Sequence, residues 1–356
     1  MDLTGARVLA HRAAVQGLHG DAPDAVLPLG VVDSPPKTGA AALGVRGRRA
    51  GTEDLVRVLS LRGAPHLHRR EDLPALRRQL RPRTLRQLAA WCGAYPVPDL
   101  EHVDLVVDLM HREFPGDTAT KGELSAAISP RLPEVARPHC PTCGTDHVIE
   151  NLFRLGTLLA GIELEHHGAK LVFRRPTARP VVEDPGEPTL LRDYARLVGP
   201  FAKADAEKWL GAGPQDAWPE LRPVRVDGKR LLAHEDFLDA VAAGGPVAAG
   251  GAATPDPPAG LLLFPRDPYL LGPRHLVADP DVAKRVWRPV GAPGALVLHG
   301  RVAGAWRHEF SGRTVTFQVT GWSKVKGTAR RAIKDQAAVL AGVWGGNVLG
   351  PDVVEW

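Results

Sequence analysis

Near the start of the chain, apolar positions recur at helical spacing at Ala10, Ala13, Ala14 and Leu18, with Gly20 placed to stop the helix. A short helix is expected before Gly30, and another over 38–45 after the Pro35-Pro36 turn. Thr52, followed by Glu53 and Asp54, has the form of a cap opening a helix toward Leu59. Residues 61–68 read as a short strand or turn, and 73–80 as a basic helix. Between 84 and 175 the pattern predicts helices over 84–92, 101–114, 121–128 and 147–160, the last closed by Gly161. Two short stretches, 162–165 and 170–174, then flank His167-Gly168 as a hairpin. Short helices followed directly by a hairpin are the order of a winged helix. A Pro-rich acidic linker over 176–188 precedes a recurrence of the same order. Helices are expected over 190–198, 203–210 and 214–221, then a hairpin whose Asp227-Gly228 is a type I′ turn signal. After an Ala/Gly/Pro-rich linker over 242–260, alternation predicts antiparallel strands over 295–298, 302–309 and 314–320 and a closing helix over 329–343.

The expected fold is mixed α+β: tandem winged-helix motifs followed by a C-terminal antiparallel β-rich region with a closing helix. The expected domains are a first winged-helix-like domain over 1–83, a second over 84–175, a third over 189–241 and the β-rich domain over 259–356. A chain of 356 residues with 44% hydrophobic and 24% charged residues has the composition of a globular protein and excludes wholesale disorder. No stretch approaches the roughly 18 apolar residues of a spanning helix, and the first twenty residues carry Arg7, His11, Arg12 and His19 rather than an apolar signal region. A cytoplasmic protein without membrane association is therefore expected, and three cysteines are too few for a disulfide scaffold. Abundant Gly and Pro, and Arg in preference to Lys, suggest a GC-rich bacterial genome.

Charge sharpens the picture through its distribution. The net charge of +5 says little by itself, but residues 46–86 hold twelve arginines against four acids. A second cluster comprises Arg313, Lys324, Lys326, Arg330, Arg331 and Lys334. Two basic segments in a chain otherwise near balance suit a polyanion such as double-stranded DNA, with two solvated helix faces as the alternative. The expected DNA contacts are Lys37, Arg46, Arg48, Arg49, Arg69, Arg70, Lys324, Lys326, Arg330 and Arg331.

Several stretches together resemble one family. The run from Tyr194 through Gly199-Pro200 and Asp205 to Trp209 is similar to a Tyr, Gly-Pro, Asp, Trp pattern of the AlkZ/YcaQ-like winged-helix DNA glycosylases. Phe264-Pro-Arg-Asp-Pro-Tyr-Leu-Leu-Gly272 resembles that family's Asp-Pro-Tyr segment, and Gly300-Arg-Val-Ala-Gly-Ala-Trp306 its Gly-x-x-x-Gly-x-Trp hairpin. Arg12 to Leu18 is similar to its Arg-to-Gln-Gly-Leu helix. The resemblance covers almost the whole chain. It implies tandem winged helices holding duplex DNA, with catalysis by a Gln-x-Gln or Gln-x-Asp loop after Leu-Gly. Here Leu29-Gly-Val-Val is followed by Asp33-Ser34-Pro35, so Asp33 stands at the first Gln and Pro35 at the second.

Glycosidic cleavage passes through an oxocarbenium-like sugar, which a carboxylate at Asp33 can stabilise while orienting water; the alternative is an Asp of a turn or helix cap. His66 and His68, two apart on an extended piece, share one face and can assist the leaving base or touch phosphate; otherwise they are ordinary surface histidines. In the family a His-Leu recurs here, which His66-Leu67 matches. Cys140-Pro-Thr-Cys143, flanked by His139 and His147, has the spacing of a zinc knuckle, but no second cysteine pair follows and only histidines are available, so a reduced turn is expected, with no metal and no cofactor. Trp306 and Trp322 are expected as packing residues, and Arg274 with Asp267 as a structural or DNA-positioning pair. The expected function is a monofunctional, monomeric DNA repair glycosylase, with a deaminated base (uracil or hypoxanthine) as the favoured target. The alternatives are a non-catalytic winged-helix DNA-binding protein or a glycosylase for alkylated or crosslinked purines.

Overall fold

The computed structural model of the chain describes residues 1–49, 51–93, 95, 97–167, 170–181, 187–242 and 255–355, for 349–355 the backbone alone. Two compact units form: one from Met1–Thr52, Leu191–Asp205 and Pro219–Trp356, the other from Glu53–Leu190 and Ala206–Trp218. The class is the expected mixed α+β.

In the first unit, Thr4 caps the Gly5–Val15 helix by accepting the Arg7 N–H. The helix stops short of Gly20 because Gly17 turns left-handed at φ 68°, and the Leu18 N–H returns to the Ala13 carbonyl at 2.9 Å. Its inner face, Val8, Leu9 and Ala13, packs in one core with Leu263, Tyr269, Leu276 and Val297. The C-terminal sheet has the order Leu261–Leu263, Gly294–Leu298, Arg301–Ser311, Thr314–Gly321, Asn347–Glu355. Its strands pair antiparallel except the last, which runs parallel to Thr314–Gly321. A second core joins Leu262, Leu296, Trp306 and Phe317 of this sheet to Ile333, Ala337 and Leu340 of the Gly327–Val343 helix. Trp306 is 2% exposed and its indole donates to the Leu263 carbonyl at 3.1 Å, the expected packing role. Leu221–Val226 and Lys229–His234 form the expected hairpin, with both turn residues left-handed (Asp227 φ 47°, Gly228 φ 78°) as a type I′ turn requires.

Two guanidinium groups lie inside this unit. Arg12, 0% exposed, donates to the carbonyls of Val198, Tyr269 and Leu271 at 2.7, 3.1 and 3.0 Å. Arg46, also 0% exposed, makes a fork-to-fork pair with Asp267 at 2.9 and 2.7 Å and donates to Gln16 and Ala42. Asp267 is therefore not the partner of Arg274, which lies over the Trp287 ring at 5.0 Å.

The second unit carries the clearest winged-helix order. The Leu100–Arg112 helix, the short strand Thr118–Ala119, and the Lys121–Ile128 and Glu150–Leu159 helices lead into the hairpin Glu163–His167 and Lys170–Arg174. Thr118–Ala119 pairs with the hairpin's second strand. Thr120 and Glu123 form a reciprocal capping box at the start of Lys121–Ile128. The Leu100–Arg112 and Glu150–Leu159 helices approach closely at Gly156, where an added Cβ would lie 2.5 Å from Val106 Cγ1.

Two expected helices are absent. The segment after Thr52 becomes the strand Val56–Leu59, paired with Pro65–His68, because Val56 and Val58 are buried at strand spacing with Leu59 beside them. Residues 214–220 are irregular: Gly211 and Gly213 are left-handed, and Pro214 and Pro219 interrupt any helical ladder. The turn at Gly168 and parts of the linkers expected over 176–188 and 242–260 lie outside the described residues.

Removing one partner of a buried ion pair strands the other charge in low dielectric, a cost of roughly 3–5 kcal/mol. Asp267→Asn is therefore expected to lower stability by that order in urea denaturation. A loss below about 1 kcal/mol, the range of an exposed pair, would contradict the burial of Arg46.

Candidate functional site

The loop after the buried strand Val31–Val32 leads into the Thr38–Val45 helix. Lys37 precedes that helix in a left-handed conformation, φ 70°, and caps none of its N–H groups with its side chain. Asp33 supplies the cap: 3% exposed, its Oδ1 accepts the Gly39 N–H at 3.0 Å. A carboxylate thus sits at the positive end of the helix dipole. The Thr38 hydroxyl closes the loop against the carbonyls of Val32 and Pro35 at 3.1 and 2.7 Å, and the Trp344 indole donates to the Lys37 carbonyl at 3.3 Å. Behind the loop, Ala41 is part of the core of the C-terminal sheet and its helix. Residues 34–37 form an exposed tip, while the carboxylate beneath is held by the fold.

His66 and His68 occupy the strand Pro65–His68 in the second unit, so the structure brings the histidines together while Asp33 belongs to the first. Both are buried, not surface histidines, and their rings lie 5.9 Å apart on one face, as the extended spacing predicts. His66 Nδ1 lies 2.8 Å from the Ala64 carbonyl, which requires the proton on that nitrogen. His68 Nε2 meets the fully buried Ser60 hydroxyl at 2.9 Å. Burial, reinforced by neighbouring His66, pushes the His68 pKa down to about 3, so the ring is neutral at neutral pH. Ser60 has no signal in the sequence; it reaches His68 only because Val56–Leu59 pairs with Pro65–His68.

The basic residues separate into two groups. Arg46 is wholly buried against Asp267, and Arg48, 9% exposed, bonds Asp24 and the Gly51 carbonyl at 2.5 and 2.9 Å. Their charges are already used inside the protein. Arg69 is half-buried, and Arg70, though exposed, forks onto Glu163 at 2.6 and 3.2 Å. Lys37 and Arg49 are exposed in the first unit. So are Lys324, Lys326, Arg330 and Arg331, grouped where the Gly327–Val343 helix begins, with no acid in its first turn. Cations oppose the dipole at a helix N-terminus, so a cluster there concentrates positive potential and suits phosphate.

A family model, described as DNA glycosylase AlkZ-like, matches residues 38–343. The chain belongs to the AlkZ-like DNA glycosylase family. Streptomyces sahachiroi DNA glycosylase AlkZ shares its fold at a TM-score of 0.73 and 20% identity, covering 99% of this chain and 100% of that one. No curated protein sequence matches. The AlkZ-like protein is thus a DNA N-glycosylase, a DNA repair enzyme that binds DNA. Among the described residues, no helix is long and apolar enough to cross a membrane.

Two measurements probe this site. Arg330→Glu with Arg331→Glu is expected to weaken DNA binding and to lower the slope of log affinity against log salt by about two. Unchanged affinity and slope would remove these two arginines from the interface. For His68, the unfolded chain takes up a proton near pH 6.5 and the folded one only near 3, so the stability it contributes is complete above about 6.5 and is lost as pH falls toward 3. His68→Gln, followed by thermal melts across that window, is expected to flatten the acid loss relative to wild type; an equal slope would place His68 in contact with solvent.

Proposed function

We propose that the AlkZ-like protein is a monofunctional, monomeric N-glycosylase of duplex DNA, and that Asp33 is its catalytic carboxylate. The observation that carries this reading is the seating of Asp33: a carboxylate on the loop that the family resemblance marks, fixed by the Gly39 N–H beneath an exposed tip. As the N-glycosidic bond breaks, its electron pair goes to the departing base and positive charge develops on the sugar. The carboxylate stabilises that charge and takes a proton from the water that adds to C1′. Flipping the target nucleotide out of the duplex gives access to the bond. Lys324, Lys326, Arg330 and Arg331, with Lys37 and Arg49, supply phosphate contacts.

The neutrality of His68 favours one target class over the other. Preference for a deaminated base rests on histidines that protonate or stabilise a neutral leaving group, and His68, neutral at neutral pH, has no imidazolium proton to give. An N7-alkylated purine carries its positive charge before cleavage and departs neutral without a donor, so a carboxylate alone suffices. We therefore assign alkylated purines as the target, with uracil and hypoxanthine the second reading.

Single-turnover assays on duplexes carrying N7-methylguanine, uracil or hypoxanthine, each read with and without alkali, test this. Excision of N7-methylguanine, with strand breaks only after alkali, is expected. Faster release of uracil or hypoxanthine would reverse the substrate assignment, and breaks without alkali would remove the monofunctional one. Asp33→Asn keeps an oxygen for the Gly39 N–H but loses the charge. It is expected to slow excision by at least ~10² while melting temperature and DNA affinity hold. Wild-type rates in this variant would confine Asp33 to helix capping.

A further inference from the structure

Between the Lys121–Ile128 and Glu150–Leu159 helices the winged helix of the second unit carries an insertion, where such motifs normally need a turn of about three or four residues. Its tip is a two-stranded ribbon, His139–Cys140 against Thr145–Asp146, each strand two residues long. Nothing from 139 to 147 is buried, and the buried apolar side chains of the insertion, Leu132, Ala136, Val148 and Ile149, lie outside the ribbon. A ribbon this short is not stable in water on its own strand pairing. Some other interaction has to hold it.

The fold brings a third donor to the cysteine pair. One ligand atom each from Cys140, Cys143 and His147 lies within 4.8 Å of the others. Gly144, at φ 65°, follows the pair in the left-handed conformation that turns the chain, and its N–H bonds the Cys140 carbonyl at 2.9 Å. The backbone N–H groups of Thr142 and Cys143 lie in reach of the Cys140 sulfur, that of Cys143 also bonding the Cys140 carbonyl at 3.2 Å; such N–H groups are the donors a metal-bound thiolate uses. His147 Nδ1 faces the Val148 carbonyl at 2.8 Å, so the proton sits on Nδ1 and the lone pair on Nε2 is free to ligate. Around the tip, Asp146 takes His139 Nδ1 at 2.9 Å and Arg137 at 3.5 Å, which keeps both from the three donors.

We propose that Cys140, Cys143 and His147 bind one zinc ion, which staples the ribbon. Two thiolates and an imidazole form a soft set suited to zinc in tetrahedral geometry, with solvent oxygen as the fourth ligand. Bond lengths of about 2.3 Å to sulfur and 2.0 Å to nitrogen put tetrahedral donors about 3.5–3.8 Å apart, within reach of side-chain rotation from the present separation. The role assigned to the ion is to hold the ribbon, with one coordination position open to solvent. The sequence offers two flanking histidines, His139 and His147, beside the cysteine pair; the fold brings His147 to the sulfurs and pairs His139 with Asp146.

The test uses the full chain purified from zinc-supplemented cells under reducing conditions. Elemental analysis is expected to find one zinc per chain, and cobalt exchange to give the visible bands of a tetrahedral site with thiolate charge transfer. Cys143→Ser is expected to lower zinc to background. Because that variant could misfold, chelator is also applied to the wild-type protein, where zinc loss is expected to open residues 139–147 to limited proteolysis while the circular dichroism of the helices stays. Zinc below stoichiometry in the wild type, a cobalt spectrum without thiolate transitions, a Cys140–Cys143 disulfide in that preparation, or proteolysis indifferent to chelator would each overturn the proposal.

Discussion

Arg12 and Arg46 sit inside the first unit with no exposed surface, and a guanidinium out of water must be given partners or the fold fails. Four of those partners come from more than 180 residues along the chain. Val198, Tyr269 and Leu271 receive Arg12; Gln16, Ala42 and Asp267 receive Arg46. The first helix, the helix behind the candidate loop and the segment around Asp267 therefore cannot be placed independently. Asp267 also accepts the Tyr269 N–H, and the Tyr269 hydroxyl donates to the Gly300 carbonyl, which carries the same constraint into the C-terminal sheet.

The stretches that carry the family resemblance run through this network. Arg12 and Gln16 belong to the Arg-to-Gln-Gly-Leu helix, Asp267 and Tyr269 to the Asp-Pro-Tyr segment, and Gly300 to the Gly-x-x-x-Gly-x-Trp hairpin. Tyr194 and Phe201 of the fourth stretch pack edge-on at 5.1 Å in the same unit. They make up interior structure and leave the chemistry to a loop that they support.

Local signals explain what was legible. Helices over 38–45, 73–80, 121–128 and 203–210 fall at the expected residues because turn, cap and periodicity agree there. At 52–59 they conflict: Thr52-Glu53-Asp54 signals a helix start, whereas the partner strand Pro65–His68 makes Val56–Leu59 extended. The last strand is not legible in the sequence because Gly350-Pro351 interrupts its alternation and its pairing is parallel, with an irregularity between Thr316 and Gln318. Among the site residues, Asp33 and the spacing of the histidines could be read locally. The burial of Arg46 could not, since its partner lies 221 residues away. Nor could the neutrality of His68, which depends on the interior that encloses it.

The exposed tip at residues 34–37 lies outside the interior network, and the loop's attachments on either side, Thr38 to Val32 and Pro35 and Trp344 to Lys37, end on backbone carbonyls. Carbonyl oxygens survive any change of side chain. The tip can therefore change its side chains while these carbonyl acceptors stay in place. Membership of the family is thus written in the interior stretches, whereas the loop can change its side chains under the same scaffold.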